Sequence, residues 1–282
     1  MKRYVVDGGT AVITGAASGI GRATARELSR RGSHLVLLDR DEVGLAAVVS
    51  ELLAARPDRR VTSYAGDLAD RDAALATATE VRNAHPHVHL LMNNAGVALA
   101  GRFDQVSLED IDWLLSINLH AVILMTHTLL PSLVSTHGSH VVNVSSLFGL
   151  IAPPGQTAYA TSKFAVRGFS DALRQELAPH GVGVTTVHPG GIATSIATSQ
   201  RVGLGVSATE HETGLGMAAQ LLTLDPAVAA RLIVDGVERR KPRVLIGFSA
   251  YALDVVARVA PGSYGGLVRR FSERMDQRAR AR

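Results

Sequence analysis

The chain has 282 residues, 46% of them hydrophobic, enough to bury one large α/β core or two small ones, and this excludes a chain disordered throughout. It has no cysteine, which rules out disulfides and thiolate metal sites, and no run of about 18 uninterrupted apolar residues, so no spanning helix is expected. The net charge of +4 sits at one end: from Val268 to Arg282 six arginines stand against Glu273 and Asp276, while the remainder balances 23 basic against 23 acidic residues, which argues against a nucleic-acid partner. The opening "MKRYVVDGGT" lacks the apolar stretch of a signal peptide, so a cytoplasmic location is expected.

In chain order, "TAVITG" reads as a strand, "GIGRATARELSRRG" as a helix ended by glycine, and "HLVLLD" as a second strand. A helix is expected from about Asp41 to Ala55, a strand in "RVTSYAGD", a helix from about Asp70 to Ala84 and a strand in "VHLLMNNAG". A long helix from about Ser107 follows, then the strand "HVVNVSS", the helix carrying Tyr159, the strand "VGVTTVHPG", a helix near Pro226 to Arg239 and the strand "RVLIG". Seven apolar strands separated by helices predict a doubly wound α/β fold with a parallel sheet covered on both faces. Residues 1–247 are expected to form a single domain.

Two segments depart from the alternation. Residues 192–224 are rich in Gly, Ser, Thr and Ala and too long for an ordinary connection, which suggests a lid over a substrate. Residues 248–282 are an extension in which Phe248, Tyr251, Val255 and Val259 recur at helical spacing before "PGSYGG" breaks the pattern. That stripe is expected to pack on the body or on another subunit, with a membrane-facing or substrate-covering role as the alternative.

The turn after the first strand, "TGAASGIG", places Gly15, Gly19 and Gly21 at the start of a helix. Glycine lets a backbone turn tightly and approach a pyrophosphate, whose charge is favoured at a helix N-terminus; an ordinary tight turn is the other reading. The spacing G-x-x-x-G-x-G is not the commoner dinucleotide fingerprint. Asp39, at the end of the second strand, can accept hydrogen bonds from an adenosine ribose and would repel a 2′-phosphate, which favours NAD over NADP. Arg40 works against that preference, because a guanidinium there can bind a 2′-phosphate or stack on adenine.

Tyr159 and Lys163 are four residues apart and so share a helix face. A cation near a phenol stabilises the phenolate, so the pair reads either as a tuned acid/base or as an ordinary solvated face.

Taken together, "TGAASGIG", "GDL" at 66–68, "NNAG" at 93–96, "YATSK" at 159–163 and "HPG" at 188–190 resemble the short-chain dehydrogenase/reductase family, over nearly all of residues 8–247. The resemblance accounts for the glycine spacing and implies a catalytic tetrad. Tyr159 would donate or accept the proton, and Lys163 would lower its pKa and hold the nicotinamide ribose. Ser146 would hydrogen-bond the substrate oxygen, and Asn118 in "SINLHA" would hold a water for proton relay. Neighbouring Ser145 could replace Ser146 only with a slip in register, because adjacent strand side chains point to opposite faces. The likeness also assigns the cofactor to Gly15, Ser18, Gly19, Ile20 and Gly21, to Asp39 and Arg40, to Asp67 and Leu68 beside the adenine, and to Asn94, Ala95 and Gly96 along the channel. Pro189 and Gly190 would flank it, with Ile192 and Thr194 meeting the carboxamide. A homodimer or homotetramer is implied, through the long helix and the helix of Tyr159.

"HPHVH" at 85–89 invites a metal site but has no carboxylate or thiolate nearby, and a surface turn is expected instead. Trp113 and "AVILM" at 121–125 are expected in core or subunit packing. The function expected is hydride transfer between a nicotinamide cofactor and a secondary alcohol or ketone, a hydrophobic one given the small and apolar residues of 192–224. The alternative is a catalytically silent nucleotide sensor or scaffold on the same fold.

Overall fold

The structure is a computed structural model and describes residues 3–266 and Val268. The first half alternates β1 (Thr10–Thr14), α1 (Gly19–Arg30), β2 (His34–Asp39), α2 (Glu42–Ala55), β3 (Val61–Ala65), α3 (Arg71–Ala84) and β4 (Leu90–Asn93). After these come β5 (Leu99–Ala100), α4 (Leu108–Leu115), α5 (Ala121–Ser135), β6 (His140–Val144) and α6 (Thr157–Leu177). The chain ends its described part with β7 (Gly183–Pro189), β8 (Arg201–Val202), α7 (Ala208–Leu221), α8 (Pro226–Glu238), β9 (Arg243–Ile246) and α9 (Phe248–Val259).

Seven strands form one parallel sheet in the order β3-β2-β1-β4-β6-β7-β9. Alternate residues of each strand supply different layers. Ala11, Ile13, Leu35, Leu37, Leu90 and Met92 pack with α1, α2 and α8, whereas Val12, Val36, Leu38 and Leu91 pack with α3, α5 and α6 on the other side. Burial on both faces is why these strands are apolar throughout rather than alternating. The winding reverses between β1 and β4, which opens a cleft at their C-terminal ends, where the glycine turn and "NNAG" lie.

The stretch from Ser107 is helical but interrupted. Ser107 caps α4 through a reciprocal pair with Asp110, and a π-turn at Ser116–His120 then sends the Ala121 N–H back to Ser116 O, inserting one residue into the ladder. Leu108–Ser135 is long and apolar enough to cross a bilayer, with mean hydropathy 1.5, but half of it is buried inside the fold. Met125, Leu129 and Leu133 belong to the core, so this is an interior helix by contact. Trp113 instead stacks under Arg201, 4.0 Å from ring centre to guanidinium carbon.

Residues 192–224 are more ordered than a loop: β8 pairs in parallel with β5, and α7 is capped by Ser207 and Glu210. Of the two packings expected for the stripe on α9, that on the body is not seen, since Phe248, Tyr251, Val255 and Val259 are 89%, 57%, 58% and 80% exposed. The body contact is made by Ala250, which is buried. Of the basic tail, only Val268 falls within the described residues.

Candidate functional site

β1 ends in Thr14, and the turn that follows requires glycine for two separate reasons. Gly15 and Gly19 have φ of +66° and +52°, in the left-handed region. Gly21 has an ordinary φ, but a Cβ there would lie 1.9 Å from Gly15 O. The turn is braced from β4: the Asn94 amide donates to Thr14 O and Gly15 O, both at 3.0 Å. The Asn94 and Ala95 backbone N–H groups donate to Thr14 Oγ1 at the same distance. Asp39 is held at the end of β2 by two backbone donors, Ala17 N–H to Oδ2 at 2.9 Å and Asp41 N–H to Oδ1 at 3.1 Å.

β6 delivers two serines to the other end of the cleft. Ser145 is buried and donates to Lys163 O at 2.8 Å, so its hydroxyl is structural. Ser146 is half-buried and accepts from Phe148 N–H at 3.1 Å, and its hydroxyl is the neighbour that favours the ionised Tyr159 phenol. Behind it, buried His188 contacts Ser146 O through Nδ1 at 3.0 Å, and burial pushes that imidazole down to about 4.

On α6, Lys163 Nζ stands 5.6 Å from the centre of the Tyr159 ring. It donates to Val144 O at 3.2 Å, its one protein acceptor among the described residues. Burial pushes the Lys163 ammonium down to about 8. Burial also raises the Tyr159 phenol, and the neighbour that lowers it is Ser146. The position of the phenol is thus set here by its burial and by Ser146. Asn118, turned inward by the π-turn and fully buried, accepts from Val97 N–H at 2.8 Å and donates to Val97 O and Ser162 Oγ.

All the site residues expected from sequence except Gly21 and Asn118 line one cavity of about 1830 Å³. Gly21 supports the turn from beneath, and Asn118 fixes the wall beside Gly96, where a Cβ would come within 3.2 Å of Lys163 Nζ. The glycine cradle and the unused donors of Lys163 fit a dinucleotide with its phosphates at α1 and a ribose near α6.

Past Tyr159 the cavity is mostly apolar. Phe148 stands edge-on to the Tyr159 ring at 6.1 Å, and Pro153, Met217, Leu221, Leu253 and Val256 continue the wall. The sequence reading missed the α9 contribution of Ser249, Leu253 and Val256, which recur at helical spacing opposite the stripe it singled out. The segment over the cavity is tied down by Arg201, which meets Trp113 and Asp110 (3.2 Å), and by Arg102 with Glu210 at 3.0 Å.

The short chain dehydrogenase family model matches residues 9–204. The Mycobacterium tuberculosis protein SadH, named as an oxidoreductase, is 44% identical over 265 residues, covering 93% of this chain and 94% of its own. A Burkholderia phymatum short-chain dehydrogenase/reductase in complex with NAD superposes with TM-score 0.82 at 29% identity, covering 94% of this chain and 97% of its own. A Sphingobium yanoikuyae short-chain dehydrogenase in complex with NADPH gives 0.74 at 28% identity, covering 92% and 94%. The chain belongs to the short-chain dehydrogenase/reductase family, NAD(P)-binding oxidoreductases on a Rossmann fold.

Proposed function

We propose that this protein interconverts a hydrophobic secondary alcohol and the corresponding ketone, with NAD preferred over NADP. The observation that carries the reading is that Ser146, Tyr159 and Lys163, the last with its Nζ 5.6 Å from the Tyr159 ring centre, share the wall of one cavity that begins at the glycine turn and ends among apolar side chains. A bound nicotinamide dinucleotide supplies the acceptor or donor of hydride. Tyr159 takes the alcohol proton or returns one to the ketone oxygen, and Ser146 Oγ hydrogen-bonds that oxygen as charge develops on it. Lys163 spends one N–H on Val144 O and offers the others to the nicotinamide ribose. Asn118 holds the relay water through its backbone, since its amide is committed to Val97 and Ser162.

Asp39 supports the NAD preference, because a 2′-phosphate brought to the end of β2 would meet its carboxylate. Arg40 lines the same cavity and limits that preference. A homodimer or homotetramer through α5 and α6 is part of the same reading, and Ile123, Val134 and Phe164 are partly exposed on those helices.

The test is absorbance-monitored turnover on a panel of secondary alcohols and ketones, each with NAD(H) and NADP(H), beside Tyr159→Phe. Loss of roughly 10²–10⁴-fold in turnover with nucleotide binding retained is expected for removal of the acid/base. Unchanged turnover in Tyr159→Phe refutes the mechanism, and a strong preference for charged sugars refutes the substrate class.

A further inference from the structure

α9 has two apolar faces. Ser249, Leu253 and Val256 turn toward the catalytic cavity. On the outer side Tyr251, Val255 and Val259 form an exposed ridge, which Phe248 begins at the cavity rim. A contiguous apolar ridge on a folded surface marks a contact with something else. Two features say what that is. α9 is followed by the arginine-rich end of the chain, six arginines against two carboxylates, in a protein otherwise balanced in charge. Arg258, near the end of the same helix, is exposed and shares its charge with Asp254. An apolar ridge followed in the sequence by a cationic segment suits an interface of apolar chains beneath anionic headgroups. A second copy suits it poorly. One 12-residue helix, about 18 Å long, gives a narrow patch for a stable dimer.

We propose that α9 seats this protein on an anionic bilayer surface, with its outer ridge in the headgroup boundary and its inner face forming the passage from lipid to the catalytic cavity. The substrate is then an alcohol or ketone that partitions into membranes. Delivery of substrate rests on the oxidoreductase reading above, whereas docking does not.

The experiment is co-sedimentation of the full chain, without nucleotide or substrate, with vesicles of phosphatidylcholine alone and of phosphatidylcholine containing phosphatidylglycerol. Binding to the anionic vesicles is expected to exceed binding to the neutral ones by about tenfold and to fall in high salt. The triple variant Tyr251→Ser/Val255→Ser/Val259→Ser is expected to lose on the order of a hundredfold in partitioning, with its melting temperature and NADH affinity unchanged. Val259→Ser alone, at a position 80% exposed, gives a smaller loss in the same direction and guards against misfolding of the triple variant. Equal binding by wild type and variants overturns the proposal, as does absence of wild-type binding to anionic vesicles. Conversion of an oligomer to a smaller species by the triple variant, with no vesicle binding by wild type, assigns the ridge to a second copy and also overturns it. A protein that binds vesicles through the ridge yet turns over no alcohol or ketone keeps the docking and loses the enzyme reading; active protein indifferent to vesicles does the reverse.

Discussion

Lys163 is expected to cost stability in proportion to what it offers catalysis. It is buried, and its ammonium is pushed down to about 8 from an ordinary lysine's 10.5. At about 1.36 kcal/mol per pH unit, holding the charged form inside at pH 7 costs about 3 kcal/mol relative to the unfolded chain. The sign follows from proton counting. Between pH 8 and 10.5 the unfolded chain binds more protons at this residue than the folded one, so this residue's penalty is full below about 8 and disappears as pH rises toward 10.5. Lys163→Met keeps the length and removes the charge, but leaves Val144 O without its donor, which returns about 1 kcal/mol. The nucleotide-free variant should therefore be about 2 kcal/mol more stable at pH 7, raising Tm by roughly 4–8 °C, while losing turnover. Scanning calorimetry at pH 7 and pH 10 tests this: the advantage of the variant should shrink to nothing, or reverse, at the higher pH. A variant less stable than wild type at pH 7, or an advantage that does not change with pH, would refute the view that Lys163 is held as a disfavoured charge.

Gly21→Ala should weaken NADH binding by a hundredfold or more, because its Cβ would meet Gly15 O at 1.9 Å and force the turn apart, as fluorescence titration would register. Gly216, inside α7 with nothing within 4 Å of a Cβ, is the contrasting case: Gly216→Ala should gain about 1 kcal/mol in denaturant unfolding with unchanged turnover. Asp39→Asn should raise the ratio of kcat/KM with NADP to that with NAD at least tenfold, since a carboxylate no longer faces the 2′-phosphate; an unchanged ratio would move the discrimination to Arg40. Arg201→Ala removes both the stack on Trp113 and the ion pair with Asp110, so it should raise substrate KM several-fold and speed proteolysis within 192–224, with NADH affinity unaffected.

The sheet was legible because burial on both faces leaves unbroken apolar runs such as "HLVLLD", with glycine or a cap at most junctions. The candidate site was legible for a different reason: Tyr159 and Lys163 sit one helical turn apart, so their proximity is local and survives any error in topology. What escaped depends on partners distant in the chain. Asn94 reads as a strand-end turn residue, yet its amide braces a turn about 80 residues earlier, and nothing in its own neighbourhood encodes that. The π-turn that aims Asn118 inward inserts a residue without altering composition, so the stretch from Ser107 reads as one plain helix. The raised phenol of Tyr159 was also out of reach, because residue spacing gives the distance to a cation but not the depth of burial, and here depth is the larger influence.

α9 carries the same lesson furthest. Its apolar periodicity is real, but a period of 3.6 says which residues share a face and not which face turns inward. The more obvious stripe lies outside, and Leu253 and Val256, diluted by Ser249 on their own face, wall the cavity. A surface helix needs one apolar face to hold it to its domain; a second, flanked by arginines, is surplus to folding. Surplus apolar surface costs solubility, and a helix that retains it at the rim of the candidate cavity is explained most simply by a contact that the isolated fold does not contain.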